Sequence, residues 1–386
     1  MANGYIDLDG TGSRLPTIAE LKALSAMQAF ASPNIYNLKP SNTLKARRAL
    51  GRTDRPGRIA GIGDSTVRTV DSSGRSDLNL MGWPVFVPAM LKDRGVPASG
   101  DGWFGAGGIA VADIATNDSR WVRNAAWTVS VSGPGGAAWR ATTTGNNVYT
   151  PKNPVSKFVI WYDRNPAYGH FTYTLDGGSP VDVNCAAANG LTSVTVDAVT
   201  LGAHSLTLTW ASGGAVSIRA IDAYDDTGVV KPVRVCNFGI SGNASAAMIG
   251  GDAVNSPWGA GYAMVNSFAP DLSILQTGVI NDWRQSVALA TSKANIRTQI
   301  ENALLTGDAW MLTPSFDSST AGNGPIQGQY VDQMWDLAQE YDIPLLDWRG
   351  SIISYAAAGN LIQDSVHPNT SGHYDIARLI VRALLS

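Results

Sequence analysis

Arg58-Ile59-Ala60-Gly61-Ile62-Gly63-Asp64-Ser65-Thr66 is the stretch on which the reading of this chain turns. An apolar run ends in Gly63-Asp64-Ser65, the pattern of a buried strand that delivers a serine into a tight turn. In an open α/β sheet the carboxyl ends of the strands are where ligands bind. Small residues of this kind are also ordinary turn chemistry, so the stretch gains weight only from what lies elsewhere.

The far end of the chain supplies a base. Asp364-Ser365-Val366-His367-Pro368-Asn369 holds one of only four histidines. It stands just before an apolar-periodic run (Ile376, Leu379, Ile380, Ala383, Leu384) that reads as a terminal helix. A serine hydroxyl is a weak nucleophile at neutral pH and needs a neutral imidazole to take its proton. The imidazole in turn needs a carboxylate to fix its tautomer and stabilise the imidazolium. Asp364, three residues upstream, can curl back onto His367. Ser65, Asp364 and His367 therefore form a candidate triad.

Acyl transfer also needs donors aimed at a developing oxyanion. The apolar strand 233–238 breaks into Gly239-Ile240-Ser241-Gly242-Asn243, where Gly242 offers a backbone N–H. The buried strand 272–277 runs into Gly278-Val279-Ile280-Asn281-Asp282-Trp283, where Asn281 offers a side-chain amide.

Gly63-Asp64-Ser65, Ser241-Gly242, Asn281-Asp282 and Asp364-Ser365-Val366-His367-Pro368 resemble, in order, the four sequence blocks of the SGNH hydrolases, also called the GDSL esterase/lipase family. The resemblance covers about 60–98 and 230–386. It implies Ser65 as nucleophile, His367 as base and Asp364 as its orienting carboxylate. It implies an oxyanion hole built from Ser65, Gly242 and Asn281. One departure is visible. The family usually has a glycine two before the oxyanion asparagine; here Val279 holds that place, with Gly278 one earlier, which leaves the local turn open. Asp64, Arg68, Asp282, Trp283 and Trp258, beside these blocks or in the stretch between them, are read as substrate contacts. Asp71, Ser72, Ser73 and Arg75 read equally as substrate contacts or a polar loop.

The totals fit this reading. The chain has 386 residues, enough for two or three domains. Charged residues make up 15% and the net charge is −3, which argues against a nucleic-acid partner. No apolar run suggests a membrane span. The start, Met1-Ala2-Asn3-Gly4-Tyr5-Ile6-Asp7, has no basic segment followed by an apolar core, so no secretory signal is legible. Its short, Gly-rich character also resembles phage tail proteins, which implies an extracellular or virion-associated setting. Cys185 and Cys236 read as buried free thiols, and the scattered histidines suggest no metal site. His204 reads as a strand-turn residue. No cofactor is expected, and a homo-oligomer is left open.

Residues 15–27 have helical period, with Thr17 as N-cap and Glu20 completing a capping box. Residues 34–55, polar and basic, read as a solvated linker within an N-terminal extension (1–57) that packs on the enzyme or a neighbouring subunit. From 99 to 229 charge thins and short alternating runs recur between Gly-rich turns, the texture of a β-sandwich. It looks like the jelly-roll, carbohydrate-binding-like modules attached to esterases. Trp103, Trp121, Trp127, Trp139, Trp161 and Trp210 lie in or beside it, as stacking platforms for sugar or as core. From 230 strands alternate with helices at 288–305, 330–341 and 352–358, which argues a parallel sheet.

The expectation is a three-layer α/β/α hydrolase of SGNH type, in two parts (58–98 and 230–386), with an inserted all-β sandwich. The expected activity is a serine esterase acting on short-chain esters, foremost O-acetyl groups on a carbohydrate. The alternatives are an esterase or lipase of small esters, an acyltransferase, and a glycan-binding structural protein with a vestigial hydrolase core.

Overall fold

The computed structural model of the protein describes residues 34–68, 81–104, 118–130, 138–196, 200–249, 263–317, 324–352 and 361–386. The helix expected at 15–27, residues 71–75, Trp258 and most of the helix expected at 352–358 lie outside the described residues.

Seven strands form one sheet: β1 (Ile35–Tyr36), β2 (Gly57–Gly63), β3 (Ala98–Ser99), β14 (Val233–Gly239), β15 (Leu272–Leu275), β16 (Asp308–Leu312) and β17 (Leu345–Leu346). Their order is β1-β17-β16-β15-β2-β14-β3, parallel throughout except for the antiparallel edge strand β1. The helices are α1 (Leu44–Ala49), α2 (Ser65–Arg68), α3 (Trp83–Lys92), α4 (Ala263–Ser267), α5 (Val279–Arg284), α6 (Leu289–Leu304), α7 (Gly324–Glu340), α8 (Trp348–Ile352) and α9 (Thr370–Leu385).

Strand alternation sends side chains to both faces. On β14, Val233 and Val235 pack toward α3 and α9, with Trp83, Val87, Leu91, Ile376 and Ile380. Cys236 and Phe238 pack into the opposite cluster, with Ile296 and Ile300 of α6 and Met334 and Leu337 of α7. Each fully buried aliphatic side chain of this kind contributes about 1.5–3 kcal/mol relative to exposure. Helix α9 presents the apolar period read in the sequence, and Asn369 caps it by accepting a hydrogen bond from the Gly372 N–H at 3.0 Å.

The region between β3 and β14 folds as two five-stranded antiparallel sheets. One is ordered β10-β9-β12-β7-β4, from β4 (Trp121–Val122), β7 (Asn146–Tyr149), β9 (His170–Leu175), β10 (Val181–Asn184) and β12 (Leu206–Ser212). The other is ordered β11-β8-β13-β6-β5, from β5 (Trp127–Ser130), β6 (Ala138–Ala141), β8 (Lys157–Arg164), β11 (Gly190–Val196) and β13 (Val216–Tyr224). Side chains from both sheets fill one core. All nine residues of β13 are buried, because the second sheet is covered twice. Val216, Ile218, Ile221 and Ala223 face the sandwich core, while Ala220 joins the cluster that holds Phe238. A register shift between Ile218 and Ala220 accounts for the change of parity. Trp161 of β8 stacks on Phe268, with ring centroids 4.1 Å apart.

One expectation is corrected, one open alternative is decided, and some short strands went unread. Residues 34–55 are no solvated linker. β1 adds an edge strand to the sheet, Ala46 and Ala49 of α1 are buried, and Arg52 and Arg55 converge on the buried Asp271 at 2.9 and 2.8 Å. The tryptophans of the sandwich offer few platforms: Trp103, Trp121, Trp127 and Trp139 are core, with Trp103, Trp121 and Trp139 packed ring against ring. The short strands β4, β6, β7 and β10 went unread because two to four residues carry too little alternation to register. No helix among the described residues is long and apolar enough to cross a membrane, and Cys185 and Cys236 are buried free thiols.

Candidate active site

The three strands carrying the first three motifs are neighbours. β2 lies between β14 and β15, with Gly63 opposite Gly239 and Ile62 opposite Leu275. From β2 the chain builds one side of the sheet (β3, β14) and then crosses to build the other (β15, β16, β17), so the carboxyl end of β2 is a topological switch point, the usual crevice of such sheets.

At that end Asp64 caps the short helix α2. Its Oδ1 accepts hydrogen bonds from the Thr66 N–H at 2.9 Å and the Thr66 hydroxyl at 2.8 Å. The capping fixes Ser65, half-buried, as the first helical residue. His367 Nε2 lies 2.9 Å from Ser65 Oγ, and His367 Nδ1 lies 2.6 Å from Asp364 Oδ2. The other carboxylate oxygen of Asp364 accepts the backbone N–H groups of Val366 and His367, each at 2.8 Å. Burial raises the Asp364 carboxyl, but these hydrogen bonds outweigh it and hold the group below the usual carboxylate value. The chain Asp364–His367–Ser65 is thus continuous, with each ring nitrogen committed to one partner.

The loop carrying Asp364 and His367 is pinned from several sides. Ile362 bridges Pro368, the Gln363 N–H donates to the His367 carbonyl at 3.1 Å, and the Asn369 N–H donates to the Leu361 carbonyl at 2.9 Å. The Ser315 hydroxyl, from the segment after β16, donates to the Val366 carbonyl.

Gly242 is exposed, with φ of 76°. It occupies the third position of a turn closed by the Asn243 N–H and the Ile240 carbonyl at 3.3 Å, a place that requires left-handed backbone and so favours glycine. Gly278, with φ of 75°, is the N-cap of α5, and a Cβ there would lie 2.9 Å from the Asn243 carbonyl oxygen. This answers the departure noted in the sequence. The left-handed residue sits one position earlier than usual, immediately before the helix, and α5 then carries Asn281 at its third position. The Asn281 amide donates to Asp64 Oδ2 at 3.1 Å and to the Asn243 carbonyl at 3.0 Å. The Ser65 turn, the Gly242 turn and α5 are therefore joined through one amide.

The remaining side chains read as substrate contacts are placed otherwise. Asp64, Arg68, Asp282 and Trp283 are buried. Arg68 donates to the Ser241 hydroxyl at 3.1 Å. Asp282 accepts the Ser245 N–H at 2.8 Å and the Ser292 hydroxyl, and Trp283 belongs to the core beneath α5. These residues support the site from inside. Burial also pushes the Asp64 carboxyl above its ordinary value, against the pull of its Thr66 hydrogen bonds. Arg284 is the site neighbour that sequence reasoning missed. It donates to the Ser365 hydroxyl at 3.2 Å and to the Asp317 carboxylate. Its one legible signal was its place one turn after Asn281. Among the described residues no three His, Cys, Asp or Glu side chains converge as metal ligands would.

The arrangement can deprotonate a hydroxyl, attack a carbonyl and stabilise the resulting charge. The model of the GDSL-like Lipase/Acylhydrolase family matches residues 205–374, which takes in Gly242, Asn281, Asp364 and His367. No curated protein sequence matches the chain. A solved peptidoglycan O-acetylesterase is similar in fold, with a TM-score of 0.60, 16% identity, and 88% of this chain and 93% of that one covered. A catalytic mutant of the acetylxylan esterase Axe2 from Geobacillus stearothermophilus is 22% identical, with a TM-score of 0.34, over 40% of this chain and 73% of that one. The YXIM protein of Bacillus subtilis is 16% identical, with a TM-score of 0.35, over 69% and 87%. Residues 205–374 thus carry a GDSL-like lipase/acylhydrolase domain, and the activity this supports is that of a carboxylic ester hydrolase.

Proposed function

We propose that this esterase removes short acyl groups, acetyl foremost, from a carbohydrate, with Ser65, His367 and Asp364 as its triad. Ser65 Oγ attacks the ester carbonyl while His367 Nε2 takes its proton, and Asp364 steadies the imidazolium through Nδ1. The Ser65 and Gly242 N–H groups and the Asn281 amide stabilise the oxyanion. In the resting geometry both Asn281 N–H groups have protein acceptors, so this donor turns partly toward the oxyanion as charge develops there. The sugar alkoxide leaves with the proton held by His367. Water, deprotonated by the same imidazole, then cleaves the acyl-enzyme and frees acetate and Ser65.

The observation that carries the mechanism is the unbroken hydrogen-bond chain, 2.9 Å from Ser65 to His367 and 2.6 Å from His367 to Asp364. The substrate class is supported by the likeness in fold to a peptidoglycan O-acetylesterase along nearly the whole of both chains. Burial of four sandwich tryptophans removes the simplest argument for glycan binding by that region, so the sugar is expected to be read at the hydrolase edge.

The test is acetate release from acetylated peptidoglycan, other acetylated polysaccharides and a short-chain aryl acetate, by wild type and Ser65→Ala. Expected is release from at least one glycan and from the aryl ester, both falling by at least about 10³-fold in the variant. Activity on the aryl ester alone would keep the triad and discard the carbohydrate. Activity that survives Ser65→Ala would discard the triad.

A further inference from the structure

Helix α5 faces the site with two side chains one turn apart. Asn281 reaches the nucleophile turn through Asp64 Oδ2. Arg284, three residues on and so on the same face, reaches the other half of the site. Its Nη2 donates to Ser365 Oγ at 3.2 Å, and its Nε donates to Asp317. Ser365 stands between the acid and the base, in the sequence Asp364-Ser365-Val366-His367. We propose that Arg284 is a positioning residue of the ester-cleaving site, tying the helix that carries Asn281 to the loop that carries Asp364 and His367. The proposal rests on the roles given to those residues above.

A surface ion pair contributes little and would carry no such role. This pair is different, because the Asp317 side chain is 0% exposed and that of Arg284 is 35% exposed. Asp317 itself is set by a firmly held segment. Two residues earlier the Ser315 hydroxyl donates to the Val366 carbonyl of the same loop. The Ser315 carbonyl accepts from Arg349 at 2.9 Å, and the Arg349 guanidinium lies over the Phe316 ring at 3.8 Å. Residues 315–317 thus touch the acid–base loop at Val366 and hold the guanidinium that touches it at Ser365. The planar guanidinium donates in two directions at once, from Nε to Asp317 and from Nη2 to Ser365. A lysine ammonium, one point charge on a flexible stem, cannot reproduce both at those angles. A guanidinium anchored in this way fixes the loop relative to α5, and with it the spacing of the base from the oxyanion donor.

The consequence falls on the chemical step. Misplacing a catalytic group by about 1 Å can lower a rate on the order of 10²-fold. Arg284→Gln is expected to lower kcat on the short-chain aryl acetate about 10- to 100-fold, with KM within about twofold of wild type. Arg284→Lys should recover only part of the loss. Ser365→Ala should show a smaller loss, and the double variant Arg284→Gln/Ser365→Ala should be no slower than Arg284→Gln alone, because both act through one contact. Denaturation midpoints of all variants identify any loss that comes from unfolding. A fluorophosphonate that labels Ser65 reports nucleophile activation without the ester, and its labelling rate should fall in step with kcat.

Wild-type kcat in Arg284→Gln would overturn the proposal and leave the triad standing. So would a loss confined to KM, which would make Arg284 a substrate contact, and so would full rescue by lysine. Absence of Ser65-dependent activity in the wild type would overturn the triad reading and this proposal with it.

Discussion

Ser65 and His367 meet at one hydrogen bond, but the two are held by different means. Ser65 begins a helix capped by a buried carboxylate, at the end of a strand whose neighbours on both sides belong to the same sheet. His367 stands in a half-buried loop that belongs to no sheet and is held by single polar contacts from Ser315, Arg284 and its own backbone. The proposed nucleophile is placed by the core and the proposed base by a collar of hydrogen bonds. A site of this construction should tolerate little change at the base's own partner, and should respond to changes beneath the nucleophile through the oxyanion donor more than through the serine.

The largest effect separates these two halves at once. Asp364→Asn keeps the loop's shape but offers His367 Nδ1 an amide in place of a carboxylate. It should lower kcat about 10⁴-fold with KM little changed, as loss of the orienting carboxylate does in serine hydrolases generally. Asp64→Asn comes next. In either amide orientation a donor then faces a donor, the Thr66 N–H and hydroxyl on one side or the Asn281 amide on the other. Losing the alignment of one oxyanion donor should lower kcat on the order of 10²–10³-fold. Fluorophosphonate labelling of Ser65 should fall far more in Asp364→Asn than in Asp64→Asn. Equal falls would mean that Asp64 acts on the serine itself and would erase the distinction between the two halves.

What the sequence made legible follows the same division. Strand-to-turn transitions such as Gly63-Asp64-Ser65 and Gly278-Val279-Ile280-Asn281 are local, and their glycines and apolar runs announce them. Asp364 and His367 are three residues apart, so their pairing is local as well. The tie between them and Ser65 is not, and it was read only because four motifs resemble one family in order. What went unread depends on contacts that no local pattern carries. β1 is two residues long and exists because β17 accepts it. Arg52 and Arg55 read as linker charges because Asp271 lies far away in sequence. The sandwich tryptophans could have been surface or core, and only the packing of the two sheets on one another decides it. Arg284 gave no signal beyond its spacing from Asn281.

The smallest expected effect is on stability against pH, and here the two halves should have opposite signs. Asp364 has a folded pKa below its ordinary value. Its contribution is fully present above the ordinary carboxylate range and is lost as pH falls through the lowered folded value. Asp64 has a folded pKa above its ordinary value, driven by burial. Between the two values the folded state keeps a proton that the unfolded chain has released, so stability falls as pH rises through that window. Relative to wild type, Asp364→Asn should therefore become more destabilised as pH rises from the acid end, and Asp64→Asn less so. Each pH unit of separation between folded and unfolded values is worth about 1.4 kcal/mol, within reach of urea unfolding at a series of acidic pH values. Slopes of the same sign in the two variants would show that the carboxylate beneath the nucleophile is no more desolvated than the one beside the base, and the contrast between a core-held serine and a loop-held histidine would then rest on hydrogen bonding alone.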